Sequence, residues 1–470
     1  MLSADSIATS LEKGGFWEKK TWKIAPNAWQ FSESEISELH TLGFALYAFY
    51  RALEKLYLAS AGNRTLLRNG NLRAPWVAEL LDRGKPPRLI EHQRSRALIG
   101  TLPPVIRPDL LICKDGFALT ELDSVPGGIG LTALLSRLYS THGNEQIPEL
   151  FLNSISFGKS DANIAIAVSD EADDYRAEFE WLAALLRTQG KKISVCHPNA
   201  LTLSDDGVFL YGTKIDIIYR FFELFDLDNV HDADALLSAS ERGSVVVTPP
   251  MRPFQEEKLS LALLHHPTLF PFWQEALSKK EFDLMKKIVP ETWIVEPLPD
   301  TGLPACATLH APMINGRAVR DWNEFYTAAK RDRELVLKAS GFDETAWGSR
   351  SVTIGTDTSQ SEWQQAWEQA FARMRERNSV YVLQRFRKPM KTEHQIFGEN
   401  GKIVPAFGRI RICPYYFVEH GEIRREHVRL GGALCTFCPP DKKNHPRNVC
   451  CRTYSLHLEL IRENNIREDF

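Results

Sequence analysis

The sequence lacks the features that mark membrane-spanning, secreted and nucleic-acid-binding proteins. No apolar run reaches the roughly 18 residues that a helix needs to cross a bilayer. The 57 Lys and Arg nearly balance the 60 Asp and Glu, so the net charge is -3 and there is no basic excess for a nucleic acid. The opening segment has no basic stretch followed by an apolar core, so we expect no secretory signal and a cytoplasmic protein.

Cysteine is sparse as well: the chain has 8, and most are scattered, which is typical of reduced thiols. The exception is "CTFCPPDKKNHPRNVCC", where Cys435 and Cys438 precede the adjacent pair Cys450 and Cys451, with His445 between. Tetrahedral zinc sites use such pairs. Because the second pair lacks a two-residue spacer, reduced thiols or an unstructured loop remain alternatives to zinc.

What the chain does have is length and a large supply of apolar side chains. Its 470 residues suffice for two or three domains or for one multi-lobed enzyme. Hydrophobic residues make up 43%, with 11 Trp and 25 Phe, which indicates well-filled cores rather than disorder.

Hydrophobic periodicity divides the chain into regions. The first is helical, and Ser32 with Glu35 forms a capping-box signal in front of its main helix. The third region, residues 161–248, alternates strand and helix, which favours a small open parallel sheet. The predicted regions are residues 1–95, 96–160, 161–248, 249–430 and the Cys-rich 431–470.

Three acids converge in the stretch "RPDLLICKDGFALTELDSVPGG". Two apolar strands are separated there by the turn signal at residues 114–116, which predicts an antiparallel hairpin. Such a hairpin brings Asp109 next to Glu121 and Asp123, and the last two share one face of their strand. Carboxylates so placed repel each other unless a cation lies between them. The alternative is a surface hairpin with solvated carboxylates.

A second signal lies in "ELVLKASGFDETAWGSRSVTIG". A buried strand ends at Lys338, and the loop after it contains Gly348 and Ser349, small residues that let backbone N–H groups approach an anion. Further on, an apolar strand closes on Gln384, as expected of a hinge that binds an adenine edge. Taken singly, these features are equally typical of a surface lysine and an ordinary hairpin loop.

Together these motifs resemble the ATP-grasp fold, and their order is similar to that of the glutathionylspermidine synthase branch. Members of that branch carry Arg-x-Asp, eleven residues, and then Glu-x-Asn. Here Arg107-Pro108-Asp109 is followed after eleven residues by Glu121-Leu122-Asp123. The stretch "IDIIYRFFE" resembles the branch's Tyr-Arg strand. "EEKLSLALLHHP" resembles a helix that opens on Asn-Lys, with Lys258 in the lysine position and Glu257 in place of asparagine. The resemblance spans residues 107–429.

The resemblance implies a multi-lobed α+β or α/β protein. It would combine an ATP-grasp fold, which the hairpin completes, with a Rossmann-like, pre-ATP-grasp-like substrate domain and a helical N-terminal region. It also implies an ATP-dependent ligase that joins a small-molecule or peptide carboxylate to an amine or thiol through an acyl phosphate, with ATP and Mg²⁺ as cofactors. Neither a nucleic acid nor a membrane is implied as a partner, and the oligomeric state is left open.

The resemblance also assigns roles to individual residues. Asp109, Glu121 and Asp123 would hold Mg²⁺ through hard oxygen ligands. Arg107 would clamp the transferred phosphoryl group, or alternatively pair with the same acids. The residues implied in ATP binding are Lys258, Lys338, Gly348, Ser349 and Gln384.

One departure concerns the third metal position, where the branch has Asn and this chain has Asp123. Aspartate still ligates Mg²⁺, but it adds a negative charge beside the triphosphate. Either a second Mg²⁺ or nearby Arg and Lys offset this charge, or the protein has lost catalysis. A non-catalytic nucleotide- or metabolite-binding relative is therefore the alternative to a ligase.

Overall fold

The fold mixes helices with several separate sheets. The computed structural model describes Ser3, Ile7, Leu11 and residues 15–16, 24–139, 146–295, 311–314, 317–319, 321–346, 350–398, 401–419, 428–438 and, for the backbone, 451–453. The helices are Glu33–Ala61 (α1), Pro75–Asp82 (α2), Pro87–Gln93 (α3), Ile129–Leu138 (α4), Ile147–Ser156 (α5), Arg176–Thr188 (α6), Ala233–Glu241 (α7), Leu259–His265 (α8), Phe270–Ala276 (α9), Lys279–Ile288 (α10), Asn323–Tyr326 (α11) and Gln360–Arg377 (α12).

The strands form antiparallel sheets and one parallel sheet. They are Val105–Cys113 (β1), Gly116–Asp123 (β2), Ile164–Val168 (β3), Ile193–Cys196 (β4), Leu201–Ser204 (β5), Gly207–Leu210 (β6), Thr213–Ile215 (β7), Ile217–Phe221 (β8), Val246–Thr248 (β9), Thr292–Val295 (β10), Met313–Ile314 (β11), Arg317–Ala318 (β12), Leu335–Ala339 (β13), Thr353–Ile354 (β14), Tyr381–Arg385 (β15), Thr392–Phe397 (β16), Ile403–Val418 (β17), Val428–Cys438 (β18) and Cys451–Thr453 (β19).

Helix α1 begins at the capping box predicted from the sequence. The Ser32 side chain accepts from the Glu35 amide, and the Glu35 carboxylate accepts from the Ser32 amide. Leucines and aromatic rings along one side of α1 are fully buried in the largest core, together with side chains of β17 and β18. The predicted helix is thus confirmed. No helix among the described residues is both long and apolar enough to cross a membrane.

The predicted hairpin is also confirmed, and it belongs to a sheet of distant strands. The strand order is β19-β18-β17-β1-β2, with β16 paired to the outer part of β17. In the β1–β2 register, Asp109 lies opposite Glu121 and Arg107 lies opposite Asp123. The predicted region boundary at residue 430 falls inside β18, so Cys435 and Cys438 are part of this sheet. Cys435 is a buried thiol, while Cys450 and His445 lie outside the described residues.

The predicted parallel sheet has the order β4-β3-β8-β9, with α6 packed against β4. Strands β3 and β8 are buried along their whole length, as expected of a sheet that is covered on both faces. The chain leaves the carboxyl end of β8 at Phe221, and the next residues line the same cleft as the end of the β1–β2 hairpin. The edge of this sheet therefore faces the acids that the sequence singled out.

A second antiparallel sheet, β10-β15-β13-β14, carries the predicted lysine strand. Strand β13 ends just after Lys338, and β15 lies between β10 and β13. One face of the sheet packs on α12 through a cluster of aromatic rings that includes Trp293, Trp363 and Trp367. The loop at residues 340–346 follows β13 and reaches the same cleft.

Because α1 packs closely on the large sheet, we predict that a glycine-to-alanine substitution in this helix destabilises the protein. Gly43 lies in the middle of α1, and a Cβ there would be 2.6 Å from a ring carbon of Tyr416. Glycine to alanine in a helix interior ordinarily adds about 1 kcal/mol of stability. Gly43→Ala should instead lower the free energy of unfolding by about 1–3 kcal/mol, because the ring has to move.

Thermal unfolding followed by circular dichroism measures this effect. The matched control is Ser37→Ala, at an exposed position of the same helix, which should stay within about 0.5 kcal/mol of the parent protein. A higher unfolding midpoint for Gly43→Ala would show that α1 does not pack on Tyr416 as described.

Candidate functional site

Asp109 lies at the centre of a buried charge network. Arg411 Nη1 is 3.1 Å from its Oδ2, Arg107 Nε is 3.6 Å from its Oδ1, and the Cys413 thiol donates to Oδ1 at 3.2 Å. Burial opposes ionisation of Asp109, but the two guanidinium groups outweigh it and lower the pKa of this carboxyl. Asp109 is thus held as a carboxylate by protein cations.

Arg107 uses its forked side chain on two acceptors of the hairpin end. Nη2 donates to Asp123 Oδ2 at 2.8 Å, and Nη1 donates to the Gly127 carbonyl at 2.9 Å. The other carboxylate oxygen of Asp123 accepts from the Val125 amide at 2.9 Å. These contacts correspond to the ion-pair alternative for Arg107. The charge that Asp123 adds is offset by this arginine.

Glu121 pairs with a lysine from another part of the chain. Lys258 precedes the first turn of α8, and its Nζ lies 2.8 Å from Glu121 Oε1. The same ammonium donates to the carbonyls of Ser340 at 3.2 Å and Ala346 at 2.7 Å. Lys258 therefore connects the hairpin to the loop that follows β13.

Lys338 approaches the same acid from strand β13. Its buried ammonium donates to the Thr120 carbonyl and to Gln384 Oε1, both at 2.8 Å. Burial lowers the pKa of Lys338 to about 8, while the Glu121 carboxylate acts in the opposite direction and Lys258 adds to the decrease. Two lysines that are about 80 residues apart in sequence thus meet beside one carboxylate.

Gln384 occupies a central strand position rather than a free edge. It pairs with Thr292 of β10 on one side and with Val336 of β13 on the other. Its side chain accepts from Lys338 and donates to Thr292 Oγ1 at 3.2 Å, so the described role of Gln384 is to orient that lysine. Gly348 and Ser349, the predicted nucleotide loop, lie outside the described residues.

The three acids of the hairpin end are engaged with protein cations and donors rather than arranged around a metal site. Among the residues that the structure describes, no group of three or more His, Cys, Asp or Glu is arranged to hold a metal ion. The reason is visible in the contacts: both oxygens of Asp109 and of Asp123 already face a cation or a donor, and one oxygen of Glu121 faces Lys258. The repulsion expected from the sequence is relieved by arginine and lysine. As donors, the three carboxylates still suit Mg²⁺.

A cleft with about 610 Å³ of space, open solvent included, lies beside this network. Its walls come from the hairpin end, the segments after β8 and β9, and the loop after β13. The lining residues are Glu121, Leu122, Asp123, Ser124, Val125, Glu223, Leu224, Phe225, Pro253, Glu256, Lys258, Gly341, Phe342 and Ala346.

The cleft has an acidic wall that sequence reasoning missed. Burial raises the pKa of Glu223 to about 8, and the nearby Glu256 and Asp123 carboxylates add to the increase. Burial also raises the pKa of Glu256, although Arg220 donates to it and opposes the effect. Glu223 comes two residues after a predicted strand of a parallel sheet, which is the position where such sheets bind ligands. This position in the sequence could have identified Glu223 as a candidate.

The hydroxyl groups behind the acidic wall are buried and poorly satisfied. Ser124 is 3% exposed and lines the cleft, and its Oγ has no hydrogen bond of ordinary geometry with another described residue. Tyr50 of α1 lies close by, where burial and the charges of Asp123 and Glu256 raise the pKa of its phenol. The first helix therefore contributes to the back of the cleft.

Comparison with known proteins identifies a solved structure with a similar fold but no protein family. A scan against protein-family models finds no matching family, and a search of curated proteins finds no significant match. Among solved structures, the chain is similar to a glutathione synthetase-like effector from Globodera pallida in its apoform. The TM-score is 0.51 at 13% identity, over 92% of this chain and 90% of that one. A candidate gamma-glutamylcysteine synthetase from Methylobacillus flagellatus KT is similar over 78% of this chain and 83% of its own, with a TM-score of 0.43 and 11% identity. The first likeness shows a shared overall fold.

The lowered pKa of Lys338 predicts a pH dependence of anion binding. Below about pH 8 its ammonium is protonated and attracts an anion, and above about pH 8 it progressively loses that charge. The affinity for inorganic tripolyphosphate, measured by calorimetry in the presence of a chelator, should therefore fall by up to about tenfold between roughly pH 7 and 9.

Lys338→Met isolates the contribution of this lysine. The probe itself and Glu223 also titrate in this range, but they do so equally in both proteins. The affinity of the parent protein divided by that of Lys338→Met should therefore decrease as the pH rises. A ratio that stays constant would mean that Lys338 keeps its proton and that burial does not lower its pKa.

Proposed function

We propose that this protein is an ATP-dependent ligase that joins a carboxylic acid to an amine through an acyl phosphate. The observation that carries the proposal is the meeting of Lys258 and Lys338 beside Glu121, at one end of a cleft whose other wall is acidic. One cleft thus offers separate places for a polyanion and for a cation. An ATP-dependent ligation that consumes an amine needs both.

The two lysines would hold the phosphates of ATP. Their ammonium groups are largely buried, so their attraction for an anion is weakly screened by solvent. The Glu121 carboxylate lies where it interacts with both of them. We infer that the phosphates replace this interaction, and that Gly348, Ser349 and the end of β15 near Gln384 complete the nucleotide site.

The acidic wall favours an amine over a thiol as the acceptor. Glu256 raises the pKa of Glu223, and Asp123 raises the pKa of both, so these carboxyl groups resist full ionisation together. A protonated amine placed between them relieves this repulsion, whereas a neutral thiol does not. The buried Ser124 hydroxyl, which lies next to Tyr50, offers a further polar contact for a substrate at the same wall.

Magnesium fits the donor chemistry of the hairpin end. Asp109, Glu121 and Asp123 would hold it, and it would neutralise charge on the phosphate oxygens. For Glu121 to take part, Lys258 has to release it and turn to the phosphates. For Arg107 to reach the transferred phosphoryl group, its contact with Asp123 has to loosen.

The fold likeness to a glutathione synthetase-like effector supports a ligase. A second candidate is a non-catalytic nucleotide-binding protein. One observation favours it: the described contacts leave both Asp109 and Asp123 fully engaged with protein donors and cations.

Release of ADP in the presence of pooled carboxylic acids and amines tests the proposal. The parent protein should form ADP continuously only when both pools are present, because with the acid alone the reaction stops at the acyl phosphate. Glu121→Gln should abolish turnover, because it removes a proposed metal ligand, while its unfolding midpoint stays near that of the parent protein. The control Asp283→Asn changes an acid in an exposed helical pair and should leave turnover unchanged.

Two outcomes decide between the candidates. Unchanged ADP release by Glu121→Gln would remove the hairpin end from the mechanism. ATP binding by the parent protein without ADP release in any combination would favour the binding protein.

Arg107→Lys distinguishes a phosphoryl clamp from an ion pair. Lysine keeps the charge but cannot reach two acceptors as the guanidinium does. If Arg107 acts on the transferred phosphoryl group, kcat should fall by about a hundredfold, while the Kd for ATP changes by less than about threefold.

The control is Arg387→Lys, at the opposite end of the hairpin, where Arg387 pairs with the exposed Asp115. This variant should keep the parent kcat. A small loss of kcat in Arg107→Lys, accompanied by a lower unfolding midpoint, would assign Arg107 to the ion pair alone.

A further inference from the structure

A buried ion pair connects the N-terminal helices to the lysine of the cleft. Lys85 lies between α2 and α3, and its Nζ is 2.5 Å from Glu257 Oε1. The side chains are 0% and 2% exposed, so solvent does not share this charge interaction. The Lys85 ammonium also lies 5.5 Å from the centre of the Phe342 ring, which lines the cleft. The pair therefore adjoins the functional site but is separate from its lining.

The Glu257 carboxylate organises the loop that follows β13. Ser340 donates its hydroxyl to Glu257 Oε2, and Ser340 Oγ in turn accepts from the Leu259 amide at 2.8 Å. Gly341 packs against the same carboxylate, since a Cβ there would be 2.7 Å from Glu257 Cδ. The Ser340 carbonyl is one of the acceptors of Lys258 Nζ. One carboxylate thus fixes both the start of α8 and the loop that receives Lys258.

Charge balance explains why Lys85 matters to this arrangement. Glu257 and Lys258 are neighbours in sequence, and both are buried. A buried carboxylate without a partner is strongly unfavourable, so it recruits the nearest cation. Lys258 is within reach, because its Nζ contacts the Ser340 carbonyl while the Ser340 hydroxyl contacts Glu257. Without Lys85, we expect Lys258 to turn to Glu257 and to leave Glu121 and the cleft.

We propose that Lys85 is a positioning residue for Lys258: by holding Glu257, it keeps the Lys258 ammonium directed into the cleft. The inference rests on the proposed function, in which Lys258 binds the phosphates of ATP. It also gives the N-terminal helical region a role in the site. Lys85 itself does not touch the substrate.

Binding of ATP with Mg²⁺, measured by calorimetry, tests the proposal. Lys85→Met should raise the Kd for ATP at least tenfold, because Glu257 captures Lys258. Lys85→Met/Glu257→Gln should bring the Kd back to within about threefold of the parent value, because the competing charge is gone and glutamine can still accept from Ser340. A role limited to stability predicts that neither variant changes the Kd at a temperature where both are folded.

The matched control breaks another buried pair between the same parts of the chain. Arg252 pairs with Glu54 of α1, with side chains 0% and 7% exposed, and this pair does not contact Ser340. Glu54→Gln should lower the unfolding midpoint and leave the Kd for ATP unchanged. An equal loss of affinity in Glu54→Gln would overturn the proposal.

Amide hydrogen exchange provides a readout that needs no nucleotide. The Leu259 amide is protected by Ser340 Oγ, so peptides covering the start of α8 should exchange faster in Lys85→Met. Exchange should recover in the double variant and stay at the parent rate in Glu54→Gln. An unchanged rate in Lys85→Met would overturn the proposal.

The two measurements separate this inference from the proposed function. If the parent protein binds no ATP, the proposed function fails, and the exchange data alone decide whether Lys85 positions Lys258. If the parent protein binds ATP and Lys85→Met binds it equally well, the positioning role is wrong while the ligase proposal stands.

Discussion

The structure of the site depends on how the carboxylates at the end of the β1–β2 hairpin are neutralised. Asp109 and Asp123 lie within 4 Å of guanidinium groups, and Glu121 lies against Lys258. Without these cations the hairpin end would carry three clustered negative charges beside a largely buried cleft. The cations come from β1, β17 and the start of α8. Charge balance therefore ties the hairpin, the large sheet and the loop after β13 to one another.

Local patterns in the sequence predicted several of the elements around the site. The capping box at Ser32, the turn at residues 114–116 and the apolar strand that ends at Lys338 are each specified within a few residues. These signals need no knowledge of the rest of the chain, because a helix cap or a tight turn is formed by neighbours. Of the candidate site residues, the three acids were predicted from the hairpin and Lys338 from the end of its strand, whereas Lys258 was predicted from the family resemblance.

The partners of those residues were not predictable, since they come from distant segments. Arg411 is 302 residues from Asp109, and Lys85 is 172 residues from Glu257. An isolated arginine or lysine in a sequence is most often a solvated surface residue, and nothing local marks these two as partners of a buried acid. Only the pairing of β17 with β1, and the docking of the N-terminal helices, brings them to the acids.

The two departures from the family pattern, Asp123 and Glu257, are both offset by a paired cation. In the branch that the sequence resembles, asparagine stands where this chain has Asp123 and where it has Glu257. Each change replaces a neutral amide by an acid, and each acid is paired here with a cation, Arg107 for Asp123 and Lys85 for Glu257. An uncompensated acid at either place would have competed for the lysines of the cleft. With each added acid paired to its own cation, Lys258 keeps its contact with Glu121 and Lys338 keeps its contacts with Thr120 and Gln384, so neither departure draws these lysines away from the hairpin.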